Sequence, residues 1–174
     1  MSTVNIAPYS RDWPHYFLQL ESELLAIFDR HTINVQHIGS TSVPNLAAKP
    51  VIDIALGADS LVVIEERISR LELMGYQYKS KYEREIPMRR YFVRPEGNLP
   101  RIHLHGVVIN SSLWQQHIVF RDALRSDPAL AAQYQLLKTE LAVRFSNDKS
   151  SYTLAKAPFI QAVINSAMPD RRRD

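Results

Sequence analysis

Cysteine is missing from all 174 residues. Its absence excludes disulfides, thiolate metal sites and a cysteine nucleophile, and fits a reducing compartment. Glycine is scarce, at five residues. The chain has no Gly-x-x-x-x-Gly-Lys-Ser/Thr loop, no Gly-x-Gly-x-x-Gly and no Gly-x-Ser-x-Gly elbow, which excludes the usual P-loop, dinucleotide and serine-hydrolase signatures. No apolar run approaches the ~20 residues of a membrane helix. Met1-Ser2-Thr3-Val4-Asn5 lacks a basic segment followed by an apolar core, so the expected location is the cytoplasm. Neither sign of charge dominates: 21 Lys and Arg against 18 Asp and Glu leave +3. Part of that excess is the end Arg171-Arg172-Arg173, which reads as a solvated, disordered tail over 169–174. A nucleic-acid binder concentrates more charge on one face, so nucleic acid is not the expected partner. Nothing in the chain specifies an oligomeric state.

What is present reads as one domain over 1–168, large enough to bury roughly two-thirds of the surface of its unfolded chain. Ser10 can cap a helix to about Asp29 whose apolar positions recur at three- and four-residue spacing from Trp13 to Phe28. Asn34 to Ile38 and Val51 to Leu56 read as strands. A single helix is expected over Ser60 to Met74, closed by Gly75. Strands at about Met88 to Val93 and Arg101 to Ile109 make a hairpin across Arg94 to Asn98. Asp127-Pro128 is a cap followed by a first helical position. A last helix spans about Ser150 to Ala167, with Pro158 kinking it or marking its start. The order implies an α/β (α+β) sheet with flanking helices and a helical C-terminal layer.

Three features can carry chemistry. His37-Ile-Gly-Ser-Thr-Ser-Val-Pro44 puts Gly39, Ser40, Thr41 and Ser42 at a strand end, where backbone N–H groups and hydroxyls can approach phosphate, with Lys49 as an added charge. The same pattern also serves as an ordinary turn whose hydroxyls bond their own backbone. Asp53 interrupts the apolar run Val51 to Leu56, where a buried carboxylate must be paired, bonded to donors or bound to a metal. His103 and His105 project from one face of a strand, a pairing that suits a divalent ion if a carboxylate lies opposite, and that packing also explains. Arg89, Arg90, Arg121, Lys138 and Lys156 could each touch an anion, with a solvated surface position as the default for each. Arg90 and Lys156 are carried as candidates. Tyr152 to Ile160 reads as the docking edge of the last helix.

These blocks resemble the GrpB family. The likeness lies in Ala7 to Pro14, in His37 to Ile54, in Arg101-Ile-His-Leu-His105, and in Phe120 to Arg125 with Pro128. It continues in Tyr134 to Lys138 and Tyr152 to Ile160, so it covers nearly the whole chain. Asn45 stands where the family usually has Gly, a benign exchange because Asn tolerates the left-handed region. The resemblance implies a nucleotidyltransferase-like fold. In that superfamily Gly-Ser contacts nucleotide phosphates, an Asp-x-Asp/Glu pair holds two metals, and a later strand adds a third carboxylate. Gly39 and Ser40 match the first element and Asp53 the first carboxylate. Ala55 replaces the second, and His103 and His105 stand on the strand that would supply the third. The implied ligand is a nucleotide or another phosphorylated small molecule, with metal-dependent nucleotidyl or phosphoryl transfer as the implied reaction. Asp53, His103 and His105 would do acid–base work or hold a divalent ion, Zn or Mn fitting that set better than Mg. The alternative is an inactive ligand-binding or regulatory module on the same fold, which the missing acid at Ala55 favours.

Overall fold

A computed structural model describes residues 4–28 and 32–168; the basic end expected to be a disordered tail lies outside them. Helix α1 (Asp12–Ile27) begins where the Ser10 hydroxyl accepts the Asp12 N–H at 3.1 Å, and it buries Trp13, Leu20 and Leu24. Strands β1 (Ile33–Ile38) and β2 (Val51–Ala58) flank a single 3-10 turn at Ser40–Ser42. The helix expected over Ser60 to Met74 is two short ones, α2 (Leu61–Glu65) and α3 (Ile68–Leu73). β-branched Val62, Val63 and Ile64 lower helix propensity there, and Arg67 N–H turns back to the Ile64 carbonyl at 3.0 Å. Strand β3 (Gln77–Tyr78), too short to leave a periodic signal, precedes a 3-10 turn at Ser80–Glu83 and the hairpin β4 (Arg89–Arg94) and β5 (Arg101–Val108). The C-terminal layer is α4 (Ser112–Ser126), α5 (Pro128–Arg144) and α6 (Lys149–Ala167). Asp127 caps α5 as expected, accepting from Ala129 N–H at 2.9 Å and Leu130 N–H at 3.0 Å. Pro158 does not start α6: Asp148 caps the helix ten residues earlier, and the proline sits inside it.

The sheet order is β1-β2-β5-β4-β3, with β2 and β5 parallel and the other pairs antiparallel. Side chains alternate across it. Ile52, Ile54, Leu56, Ile102, Leu104 and Phe92 face α1, α2 and α3 in the main core. On the opposite face, Ala55 and Val107 pack with Ile38 and with Trp114 of α4. That second face is dry beneath Trp114 and opens into a cavity beyond it. No helix among the described residues is long and apolar enough to cross a membrane.

Candidate functional site

The register of β2 against β5 pairs Asp53 with His103 and Ala55 with His105, and β4 against β5 pairs Tyr91 with His105. Asp53, His103, His105 and Tyr91 therefore share one face, at the mouth of a cavity of about 480 Å³. Ser40, Lys49, Lys138, Tyr152 and Lys156 also line it. Asp53 is not sealed in the core as its apolar run suggested; its side chain keeps 27% of its exposure because it opens into this cavity.

Gly39 makes that placement possible. It adopts φ +69 and ψ −175, a region essentially reserved for glycine. A Cβ there would lie 2.6 Å from Asp53 Oδ2, so the carboxylate rests against bare backbone. Behind the turn, Thr41 donates to the Val51 carbonyl at 2.9 Å and its hydroxyl takes the ring nitrogen of His37 at 3.0 Å. Burial lowers His37 to about 4, so the ring is neutral and donates Nε2–H to Thr41. Ser42 donates to the Gly39 carbonyl at 2.6 Å. Both hydroxyls are thus bonded to the turn's own surroundings, as in an ordinary turn, and Ser42 lies away from the cavity. Ser40 and Thr41 line it.

Asp53 Oδ1 receives both imidazoles, His103 Nδ1 at 3.4 Å and His105 Nε2 at 3.5 Å. Burial pushes the Asp53 carboxyl up, but hydrogen bonds from the two histidines outweigh it and hold the group below the usual carboxylate range. The tautomers follow. Arg101 Nε–H donates to His103 Nε2 at 3.2 Å, so that nitrogen carries the lone pair and Nδ1–H donates to Asp53. His105 gives Nε2–H to the same ionised oxygen, leaving its buried Nδ1 without a partner among the described residues. Burial also lowers His105, and lowers His117, whose ring lies 5.2 Å from it, to about 3.

The implied divalent metal does not fit this donor set. Both imidazoles turn N–H toward Asp53, and Ala55 is sealed in an apolar cluster where a second carboxylate would belong. Among the described residues no three His, Asp or Glu side chains are arranged to hold an ion. The three expected ligands converge as a hydrogen-bonded unit instead.

Lysines dominate the facing wall. The ammonium groups of Lys49 and Lys156 lie 4.0 and 4.5 Å from the Tyr152 ring centroid. Burial, reinforced by Lys156, lowers Lys49 to about 8 and Lys138 to about 7. Lys138, expected at the surface, is only 2% exposed and donates to the Ala47 carbonyl, whose own N–H donates to Gln135 Oε1 at 2.8 Å. Arg121, also expected at the surface, is buried and donates to the carbonyl of His37 at 3.1 Å and to Gln36 Oε1 at 2.8 Å. Arg90 is not part of the site. It projects to the α2 side, pairing with Glu65 at 2.6 Å and Glu83 at 3.5 Å. Its neighbour Arg89 lines the cavity, its guanidinium 4.8 Å from the Tyr91 ring centroid. Strand alternation was the available signal: Arg89, like Tyr91, shares the parity of the cavity face.

A family model described as GrpB protein matches residues 3–166. The chain belongs to the GrpB family. The glutamate-rich protein GrpB of Alkalihalophilus pseudofirmus is 33% identical over 166 residues, spanning 93% of this chain and 94% of that protein. The crystal structure of GrpB from Enterococcus faecalis superimposes with a TM-score of 0.84 at 31% identity, covering 95% of this chain and 98% of that one. More distantly, the Cid1 poly(U) polymerase matches with a TM-score of 0.55 at 12% identity, over 86% of this chain and 49% of the polymerase. This GrpB-family chain thus has a nucleotidyltransferase-like fold, which is as far as that last likeness reaches.

Proposed function

We propose that the cavity binds a nucleotide or another phosphorylated small molecule. Ser40, Lys49, Lys138 and Lys156 would hold the anion, and the Asp53–His103–His105 unit would border it. One observation carries this reading: three lysine side chains converge on one wall, and among the described residues none of them forms an ion pair. Crowded ammonium groups destabilise one another, and an arriving phosphate relieves that repulsion while accepting hydrogen bonds from each. Cid1 has been solved with Mg and 3′-dATP bound, but the support for a ligand here is the cavity's own charge. The missing acid at Ala55 and the inward-turned imidazoles favour binding over metal-dependent transfer, so no step is assigned to a metal.

Calorimetric titration with ATP and with inorganic tripolyphosphate, with and without Mg²⁺, tests this. Wild type is expected to bind both, and Lys49→Ala/Lys156→Ala to bind each at least roughly tenfold more weakly, as expected for lost hydrogen bonds to charged groups. No binding by wild type, or equal binding by the double variant, overturns the reading. Turnover of ATP that requires Mg²⁺ would favour transfer instead.

A further inference from the structure

The cavity has two unlike ends, joined by a chain of contacts. At one end Tyr152 lies beneath Lys49 and Lys156. Asp53 and its two histidines come next, and Tyr91 packs on both imidazoles, its ring centroid 5.7 Å from His103 and 5.2 Å from His105. Tyr82 then meets Tyr91 at 5.6 Å with the rings 78° apart. Glu85, one turn beyond Tyr82, closes the far end beside Arg89, whose charge it supports.

Charge orients whatever enters. A phosphate meets three amines at the first end, whereas at the other the Glu85 carboxylate offsets the Arg89 guanidinium. An anionic head is therefore drawn to the lysines, and a neutral, hydrogen-bonding tail is left for the far end. The aromatic groups differ as well. The Tyr152 ring is covered by the ammonium groups of Lys49 and Lys156 and so is not free to stack on a ligand. Tyr82 and Tyr91 are partly exposed, and their perpendicular rings form a corner on the cavity wall. An inorganic polyphosphate has nothing to place there.

Resting on the reading of the lysine end as a phosphate site, we infer that the ligand is a nucleoside phosphate: Tyr82 receives its base, and Glu85 accepts hydrogen bonds from its sugar hydroxyls. Aromatic faces stack on any base, so this end selects nucleosides as a class and not one base over another. A carboxylate supplies acceptors only, which matches the paired hydroxyls of a ribose. A cavity of about 480 Å³ lies within the usual range for small-molecule sites.

The test compares three probes on the whole chain: ATP, tripolyphosphate and ribose 5-phosphate. ATP is expected to bind roughly tenfold tighter than tripolyphosphate, a typical stacking contribution. Tyr82→Ala and Glu85→Gln should each remove most of that advantage while leaving tripolyphosphate affinity as in wild type, which also shows that the variants fold. An ATP-to-tripolyphosphate ratio of one in wild type, or a ratio unchanged in Tyr82→Ala, overturns the assignment while the phosphate site stands. Ribose 5-phosphate binding as tightly as ATP overturns the role of Tyr82. Failure of both ATP and tripolyphosphate to bind overturns the phosphate site and this inference together.

Discussion

Residues 52, 54 and 56 of β2 are buried among helices α1 to α3, while Asp53, one position along, opens into a cavity with His103 and His105. The same alternation divides β5 and β4. A second boundary runs along the cavity face itself, since Ala55 and Val107 are dry beneath Trp114 whereas Asp53 and His103 are not. The polar site is therefore a short stretch, not a whole sheet face. On β2 it ends one pleat before the place where a second carboxylate would be needed, although His105 opposite that place on β5 still lines the cavity. What a strand position contributes here depends on parity first and on distance from Trp114 second.

The sharpest way to break this comparison is to move the boundary. Ala55→Asp puts a carboxylate among Ile38, Val107 and Trp114, and should cost on the order of 4 kcal/mol because these apolar neighbours desolvate the charge and His105, opposite it on β5, is already committed to Asp53. Chemical denaturation measures this. A stable variant whose melting temperature rises with Mg²⁺ would show that the dry zone opens readily and that a metal site can be rebuilt.

Titration gives a middle-sized effect. Lys138 and Lys49 sit at about 7 and about 8, lowered first by burial. Unfolding returns these amines to their ordinary range near ~10.5, so the unfolded chain binds more protons between the two values and stability should rise as pH climbs from about 7. Affinity for tripolyphosphate should move the other way, full below about 7 and falling above about 8, as the amines discharge. Lys138→Met should flatten the lower part of both curves. Affinity that is constant from pH 6 to 9 would remove the lysine wall from binding.

The smallest effect separates neighbours on β4. Arg90→Ala loses the pairing with Glu65 and Glu83 and should cost about 1 kcal/mol, roughly 2–4 °C in melting temperature, with ATP affinity unchanged. Arg89→Ala should do the reverse, weakening ATP binding with little change in melting temperature. Similar behaviour of the two variants would mean that parity does not divide this strand.

The strands, the hairpin and the cap at Asp127 are legible in the sequence because alternation, turn residues and capping side chains act locally. The convergence of Asp53 with His103 and His105 is not, because it depends on β2 lying parallel beside β5, a pairing between segments fifty residues apart. Arg90 in place of Arg89 is a one-residue error in parity, and one residue changes the face. Lys138 and Arg121 read as surface residues for another reason. Lys138 is held by the main-chain carbonyl of Ala47, and every residue has a carbonyl, whereas Arg121 bonds the adjacent Asp122 carboxylate at 2.7 Å as well as the distant Gln36 side chain and His37 carbonyl. The acid beside Arg121 is equally at home on a surface helix and so does not betray its burial, and a cation held by backbone, like Lys138, leaves no trace at all.

The grip of α5 on Ala47 sets an order of events as the chain is made. All five strands are complete by residue 108, and their apolar face can bury itself against helices that precede it. The cavity wall, however, waits for Gln135 and Lys138 to seize a peptide about ninety residues upstream, and for Tyr152 and Lys156 to follow. During synthesis at roughly 5–20 residues per second, the sheet can exist for seconds before the site does. A nascent chain halted between α4 and α5 would hold a formed sheet whose cavity has Lys49 alone of its three lysines, too few to capture the proposed anion.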